Sequence, residues 1–293
     1  MKLRKDKEKL LKMLKRERYL LMIFLLFLPF FLVCVNGKHF VLVHGALHGA
    51  WCWYKVADQL KSEGHNVTTL DMAACGVNPK QIEEVDSVSE YHKPLITFLA
   101  SLPPQEKVIL VGHSLGGLSV SIAMEKYPQK ISVAVFITAS VVSQNLTYPA
   151  YLQEVTRRLG HVLEEQYFLL DGNKAPILSP IGVEFLRSRL YQLSTTVDLT
   201  LAISLVRPLP PFMSDVKLLT EETAVSKNRN GRVSKVFIIA GKDNLMTEDF
   251  QRWIIENTGP FADVKKIKNS DHMAMFSKPK ELSLKLLKIA YKF

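Results

Sequence analysis

From position 38 onward the chain alternates short continuous apolar runs with longer segments whose apolar residues recur at helical spacing. The runs HFVLVHG, NVTTLD, KVILVGH, ISVAVFITA, KVFIIAG and ADVKKIK are rich in β-branched residues and predict strands. Continuous apolar character, rather than strict alternation, fits strands of a sheet covered on both faces. Between the runs, residues 51–63, 87–102, 115–127, 247–258 and 279–291 predict helices, the first ending at Gly64, the second and third before Pro103 and Pro128, the fourth at Gly259. Strand, helix, strand in repetition gives a parallel sheet with right-handed crossovers. Residues 141–230 break the alternation with Pro-punctuated helical pieces such as YLQEVTRRLG and FLRSRLYQL, which predict a cap inserted into the sheet domain. The predicted class is therefore α/β, with a mostly parallel central sheet, helices on both faces, and a helical cap at about 141–230 of a single domain spanning 37–293.

Composition changes this picture little and charge changes it at one end. The 293 residues are 47% hydrophobic and 23% charged, ordinary for a globular chain, and no internal repeat is visible. Of the 38 basic and 28 acidic residues, nine and three lie in residues 1–18, leaving 29 against 25 elsewhere. The body is too weakly basic for a phosphate-binding face, so a nucleic-acid partner is not expected. The basic head is followed by an uncharged run of 17 residues, YLLMIFLLFLPFFLVCV at 19–35. As a helix it would span roughly 25 Å, slightly short of a ~30 Å hydrocarbon core. Residues 1–36 thus read as a signal peptide or a retained signal anchor. A cleavage after Gly37 with Val35 two residues earlier matches a small-x-small site poorly, which favours the anchor. The charges would keep the N-terminus cytosolic and place the domain in the secretory pathway; an extension without a targeting role would instead leave it cytoplasmic. With Asp6, Glu8 and Glu17 and no Ser or Thr, residues 1–36 do not resemble a chloroplast transit peptide. Cys34, Cys52 and Cys75 imply no disulfide framework and mildly favour a reducing compartment, against the lumenal reading. Asn66 and Asn145 begin glycosylation sequons.

The chemistry begins at Gly112-His113-Ser114-Leu115-Gly116, a Gly-x-Ser-x-Gly that closes a predicted strand and opens a predicted helix, the context in which Ser is exposed on a strained turn. A serine at its free pKa needs a base, and the base needs an orienting acid. In this architecture they follow in the order Ser, Asp or Glu, His. Downstream of Ser114 lie two histidines, His161 in the cap and His272 just past the last strand, and His272 is the expected base. Asp243, in the loop closing KVFIIAG, is the expected acid, in preference to Asp271, adjacent to the base, and Asp249, in the next helix. The oxyanion donors should be the backbone N–H groups of Leu115 and of Ala46, in the loop HGALHGAW. His39, His44 and His48 have no acidic or thiolate partner at metal spacing, and no metal is expected.

The segments HFVLVHGALHGAWCWYKV, VILVGHSLGG, AMEKYPQKI, LYQL, LVRP, FQRWIIEN and DHMAMF recur in order over residues 39–293 and resemble the plant methylesterase family. This α/β-hydrolase group also contains hydroxynitrile lyases. The resemblance implies hydrolysis of methyl esters of small carboxylic acids, with methyl salicylate, methyl jasmonate and methyl indole-3-acetate as the usual substrates. It implies no cofactor, allows a homodimer, and maps the family's triad onto Ser114, Asp243 and His272 and its oxyanion donors onto Ala46 and Leu115. Its lyases resemble one another in a Thr where this chain has Gly45 and a Lys where it has Met273. The absence of that positive charge opposes the lyase reading. Relatives commonly carry Met-Pro-Asp where this chain reads VVSQNLTYP, and a Trp in the cap, whereas Trp51, Trp53 and Trp253 lie outside it. An altered cap lining leaves a second expectation, a hormone-binding protein with slow or no turnover.

Overall fold

The computed structural model describes residues 12–13, 15–19, 37–160, 168–169, 177–210 and 215–293. The chain divides into two compact units, Met1–Gly37 and Lys38–Phe293. In the first, residues 12–13 and 15–19 are helical and exposed. Beyond Tyr19 the apolar run expected to act as an anchor lies outside the described residues, and among the described residues no helix is long and apolar enough to cross a membrane.

In the second unit the alternation becomes a six-stranded, wholly parallel sheet in the order β2-β1-β3-β4-β7-β8. Its strands are β1 (His39–Val43), β2 (Asn66–Leu70), β3 (Val108–His113), β4 (Ile131–Ile137), β7 (Lys235–Ala240) and β8 (Asp263–Ile267). Successive side chains on a strand point to opposite faces, and the core divides accordingly. Val41 and Val43 join Leu110, Phe136 and Phe237 on one face, covered by the helices Val88–Ser101, Gly116–Lys126 and Glu248–Thr258 through residues such as Leu95, Leu118 and Ile254. Phe40 and Leu42 join Ile109, Val111 and Val135 on the other, covered by Tyr54–Ser62 and Pro279–Lys292 through Leu60, Leu282 and Leu286. Each fully buried Leu or Phe contributes roughly 1.5–3 kcal/mol. β8 departs from the continuously covered strand expected: it is an edge strand whose Val264 and Lys266 are exposed. An edge has solvent on one side, and charges there discourage pairing with another chain.

Between β4 and β7 the chain forms the helices Tyr148–Leu159, Pro180–Phe185, Thr196–Leu205 and Val216–Glu222, with a single π turn at Leu186–Leu190. It also forms an antiparallel pair of two-residue strands, β5 (Phe168–Leu169) and β6 (Ile177–Leu178), which hydrophobic periodicity cannot detect at that length.

The sheet order locates a site. From β1 the chain moves outward to β2, then returns to form β3 on the other flank of β1. The connections at the carboxyl ends of β1 and β3 therefore diverge, opening the crevice in which α/β sheets bind ligands.

Candidate active site

Ser114 stands at that crevice, one residue past β3, with φ of +52°. A non-glycine residue there is strained and persists only when its surroundings over-determine it. They do: the Ser114 N–H donates to the Ile137 carbonyl at 3.2 Å, while its own carbonyl accepts from the N–H groups of Gly117 (3.0 Å) and Ser140 (3.1 Å). The turn is tight because Gly116 packs against the end of β1, where a Cβ would sit 2.5 Å from the His44 carbonyl oxygen. The N–H of Leu115 follows directly. Among the described residues neither this N–H nor that of Ala46, across the crevice, donates to a protein acceptor.

The loop carrying Ala46 is pinned by its carbonyls. His44 Nδ1–H donates to Gly45 O at 2.8 Å, His48 Nδ1–H to Ala46 O at 2.7 Å, and the Arg207 N–H to Leu47 O at 2.9 Å. With three successive carbonyls held, the intervening peptide planes have little freedom. His44 and His48 are two of the three histidines, with His39, at which the sequence leads to no expectation of a metal. His39 lies at the start of β1, where its ring nitrogens meet Glu106 at 2.6 Å and Thr68 at 2.8 Å, at the opposite end of the strand from the other two. His44 also accepts the Met72 N–H at 3.1 Å, and His48 Nε2 accepts the Tyr191 hydroxyl at 2.7 Å. Burial lowers the pKa of both rings, that of His48 to about 3, so they stay neutral and keep these acceptor lone pairs.

Asp243 follows β7 and is buried. Its Oδ1 accepts the N–H groups of Leu245 and Met246, each at 2.8 Å, and its Oδ2 accepts the Thr138 hydroxyl at 2.5 Å and His272 Nδ1–H at 2.7 Å. A carboxylate with four donors is fixed in position. Because Nδ1 of His272 faces a carboxylate, it carries the proton, leaving Nε2 as the basic nitrogen. The loop bearing His272 is stitched to that of Asp243 by Lys242 N–H to Ser270 O at 2.8 Å. It is also tied to β3 by His113, whose Nε2–H donates to the His272 carbonyl at 2.8 Å and whose ring centroid lies 4.7 Å from that of His272. Burial pushes the His113 imidazole far below the usual range, so it too stays neutral.

Asp271 turns away from the imidazole: its Oδ2 accepts the Leu193 N–H at 3.0 Å and the Ser194 hydroxyl at 2.8 Å, and burial raises its carboxyl pKa. Asp249 is on the helix surface, paired with Arg158. His161 lies outside the described residues. The structure thus brings Ser114, His272, Asp243, Ala46 and Leu115 to one sheet edge, and adds Thr138 and His113, which the motif reading missed. Thr138 had one visible signal: a hydroxyl residue immediately past a strand at the same edge as Ser114.

In sequence and overall fold the chain is similar to known proteins. Residues 40–283 match the alpha/beta hydrolase family. The chain is 51% identical over 254 residues to methyl jasmonate esterase 1 of Vitis vinifera, covering 86% of this chain and 96% of that protein. It is 44% identical over 261 residues to salicylic acid-binding protein 2 of Nicotiana tabacum, covering 88% and 99%. The solved structure of tomato methylketone synthase I with 2-tridecanone superposes with a TM-score of 0.78 at 42% identity, covering 88% of this chain and 99% of that one.

Proposed function

The chain belongs to the alpha/beta hydrolase family, among the plant methylesterases, and on that footing we propose that it is a serine carboxylesterase acting on methyl esters of small hormone-type carboxylic acids. The observation that carries the reading is the buried His272–Asp243 pair, 2.7 Å apart, at the same sheet edge as the strained Ser114. In the proposed reaction Ser114 Oγ attacks the ester carbonyl while His272 Nε2 takes its proton and Asp243 supports the resulting imidazolium. The Ala46 and Leu115 N–H groups stabilise the oxyanion. The C–O bond to the methoxy group breaks, His272 returns the proton, and methanol leaves. Water, deprotonated by the same nitrogen, attacks the acyl-serine, and the free acid departs with Ser114 restored. No step uses a cofactor. The insertion between β4 and β7 acts as the cap over the acyl group, and its departures from the family pattern make the identity of the acid its property rather than the triad's.

A binding function without efficient turnover is the second reading, favoured by similarity to a protein named for salicylic acid binding. A lyase reading is disfavoured because Met273, fully buried in the core, offers no positive charge for a leaving anion. The test is methanol release by the full-length protein from a panel of methyl esters, with Ser114→Ala as control. Release that the control abolishes supports the esterase; tight binding of free acids without any ester cleavage replaces it with the binder. The expected membrane anchoring through residues 19–35 is tested separately, by comparing fluorescent fusions with and without residues 1–36; identical soluble distributions would refute it.

A further inference from the structure

One turn of the insertion touches three of the loops that form the site. It follows the π turn Leu186–Leu190 and closes with Ser194 N–H to Tyr191 O at 3.0 Å. Four consecutive residues then bond outward. The Tyr191 hydroxyl donates to His48 Nε2 at 2.7 Å, and His48 Nδ1–H holds Ala46 O at 2.7 Å, in the loop after β1. Gln192 Nε2 donates to Lys242 O at 2.6 Å, beside Asp243 in the loop after β7. The Leu193 N–H and the Ser194 hydroxyl donate to Asp271 Oδ2 at 3.0 and 2.8 Å, beside His272 in the loop after β8. Tyr191, His48 and Asp271 are all buried, so the bonds to His48 and Asp271 are shielded from competing water, whereas that of Gln192 is exposed. π turns are rare in helices and recur at functional sites; this one delivers Tyr191 inward.

Resting on the proposed esterase reaction, we propose that the turn Tyr191–Ser194 is a positioning element, in which Tyr191 and Ser194 hold the oxyanion loop and the base loop in reacting register from the insertion. The geometry distinguishes the two tethers. Tyr191 acts on Ala46 through a single imidazole that bonds at both ring nitrogens, so removing the hydroxyl frees one end of a two-bond chain. Ser194 acts on the backbone next to His272 through a carboxylate that keeps the Leu193 N–H. Tyr191 should therefore matter more, and its effect should fall on the transition state, because the Ala46 N–H meets full negative charge only there.

The experiment uses the full-length protein, p-nitrophenyl acetate as a small ester that needs little of the acyl pocket, and amide hydrogen exchange. Tyr191→Phe keeps the ring and deletes the tether. It is expected to lower kcat at least about tenfold, a fraction of the 10²–10³ lost with a whole oxyanion donor, with KM changed by less than about twofold. Exchange should quicken at residues 45–48 and not across the sheet. His48→Gln should lower kcat similarly, and the double variant should be no worse than the more impaired single one, since both break the same chain. Ser194→Ala should quicken exchange at residues 270–273 instead. Unchanged kcat and exchange in Tyr191→Phe overturn the proposal, as does faster exchange spread evenly over the domain, which would mark a general loss of packing. If the wild-type protein cleaves no ester, the functional reading fails by itself; localised faster exchange would still uphold the tether, and unchanged exchange would overturn it.

Discussion

Thr138 offers the sharpest test of how the acid is held. It follows β4 with φ of +36°, an unfavourable conformation for a β-branched residue, and donates its hydroxyl to Asp243 Oδ2, the oxygen that also binds His272. Thr138→Val preserves shape and branching and removes only that donor. Asp243 then keeps three of its four bonds, and its side chain is fully buried, so water cannot replace the lost one. A hydrogen bond to a charged group contributes about 1.5–3 kcal/mol, which for a domain of this size lowers Tm by roughly 5 °C. The catalytic consequence has a definite sign. Looser orientation of the imidazole lowers kcat/KM, by up to about tenfold for ~1.4 kcal/mol of lost transition-state stabilisation. Thermal melting and kcat/KM on one methyl ester measure both effects, and Thr138→Ser, which retains the hydroxyl, should recover most of each. A Thr138→Val protein with wild-type Tm and kcat/KM would show that the 2.5 Å contact contributes nothing and that the other three donors suffice.

Three further outcomes follow from the site and its surroundings. Ser114→Gly should be more stable than Ser114→Ala by roughly 1 kcal/mol in urea unfolding, both being inactive, because only glycine relieves the strain at φ of +52°; equal stability would deny that strain is stored there. Gly45→Ala places a Cβ 2.8 Å from Ser114 Cβ and 3.0 Å from His113 Nδ1, so the oxyanion loop must shift. Activity should fall about 10²-fold, as for a displacement of about 1 Å at a reacting centre, and a variant with near-normal kcat would refute the close approach. Burial lowers the pKa of His48 and His92 from 6.5 to about 3. Below pH 6.5 the unfolded chain therefore binds protons that the folded protein refuses, and stability falls as pH drops toward 3. Each ring accounts for about 3 kcal/mol by pH 4, and the urea midpoint of His92→Gln should depend less steeply on pH in that window than the wild type's.

The strands and helices were legible because each run's composition and period report whether one face or two are buried, and this holds for β1, β3, β4 and β7 almost to the residue. The Ser114 turn was legible because strand, tight turn and helix are local events. Chain order alone also pointed to Asp243 and His272 as candidates. What periodicity cannot report is which neighbour a buried face or a free donor meets. The site draws on the carboxyl ends of β1, β3, β4, β7 and β8, and adjacent strands stand about 4.8 Å apart. His272, from the edge strand, must therefore return across roughly 14 Å to reach the end of β3, where His113 holds its carbonyl, while Lys242 holds the same loop at Ser270. Thr138 reaches Asp243 over 105 residues of chain, and Tyr191 reaches His48 over 143. The residue types and their order belong to the sequence; the donors that aim them come from strands and turns remote along the chain, so their partnership arises only when the sheet and the insertion close on one another.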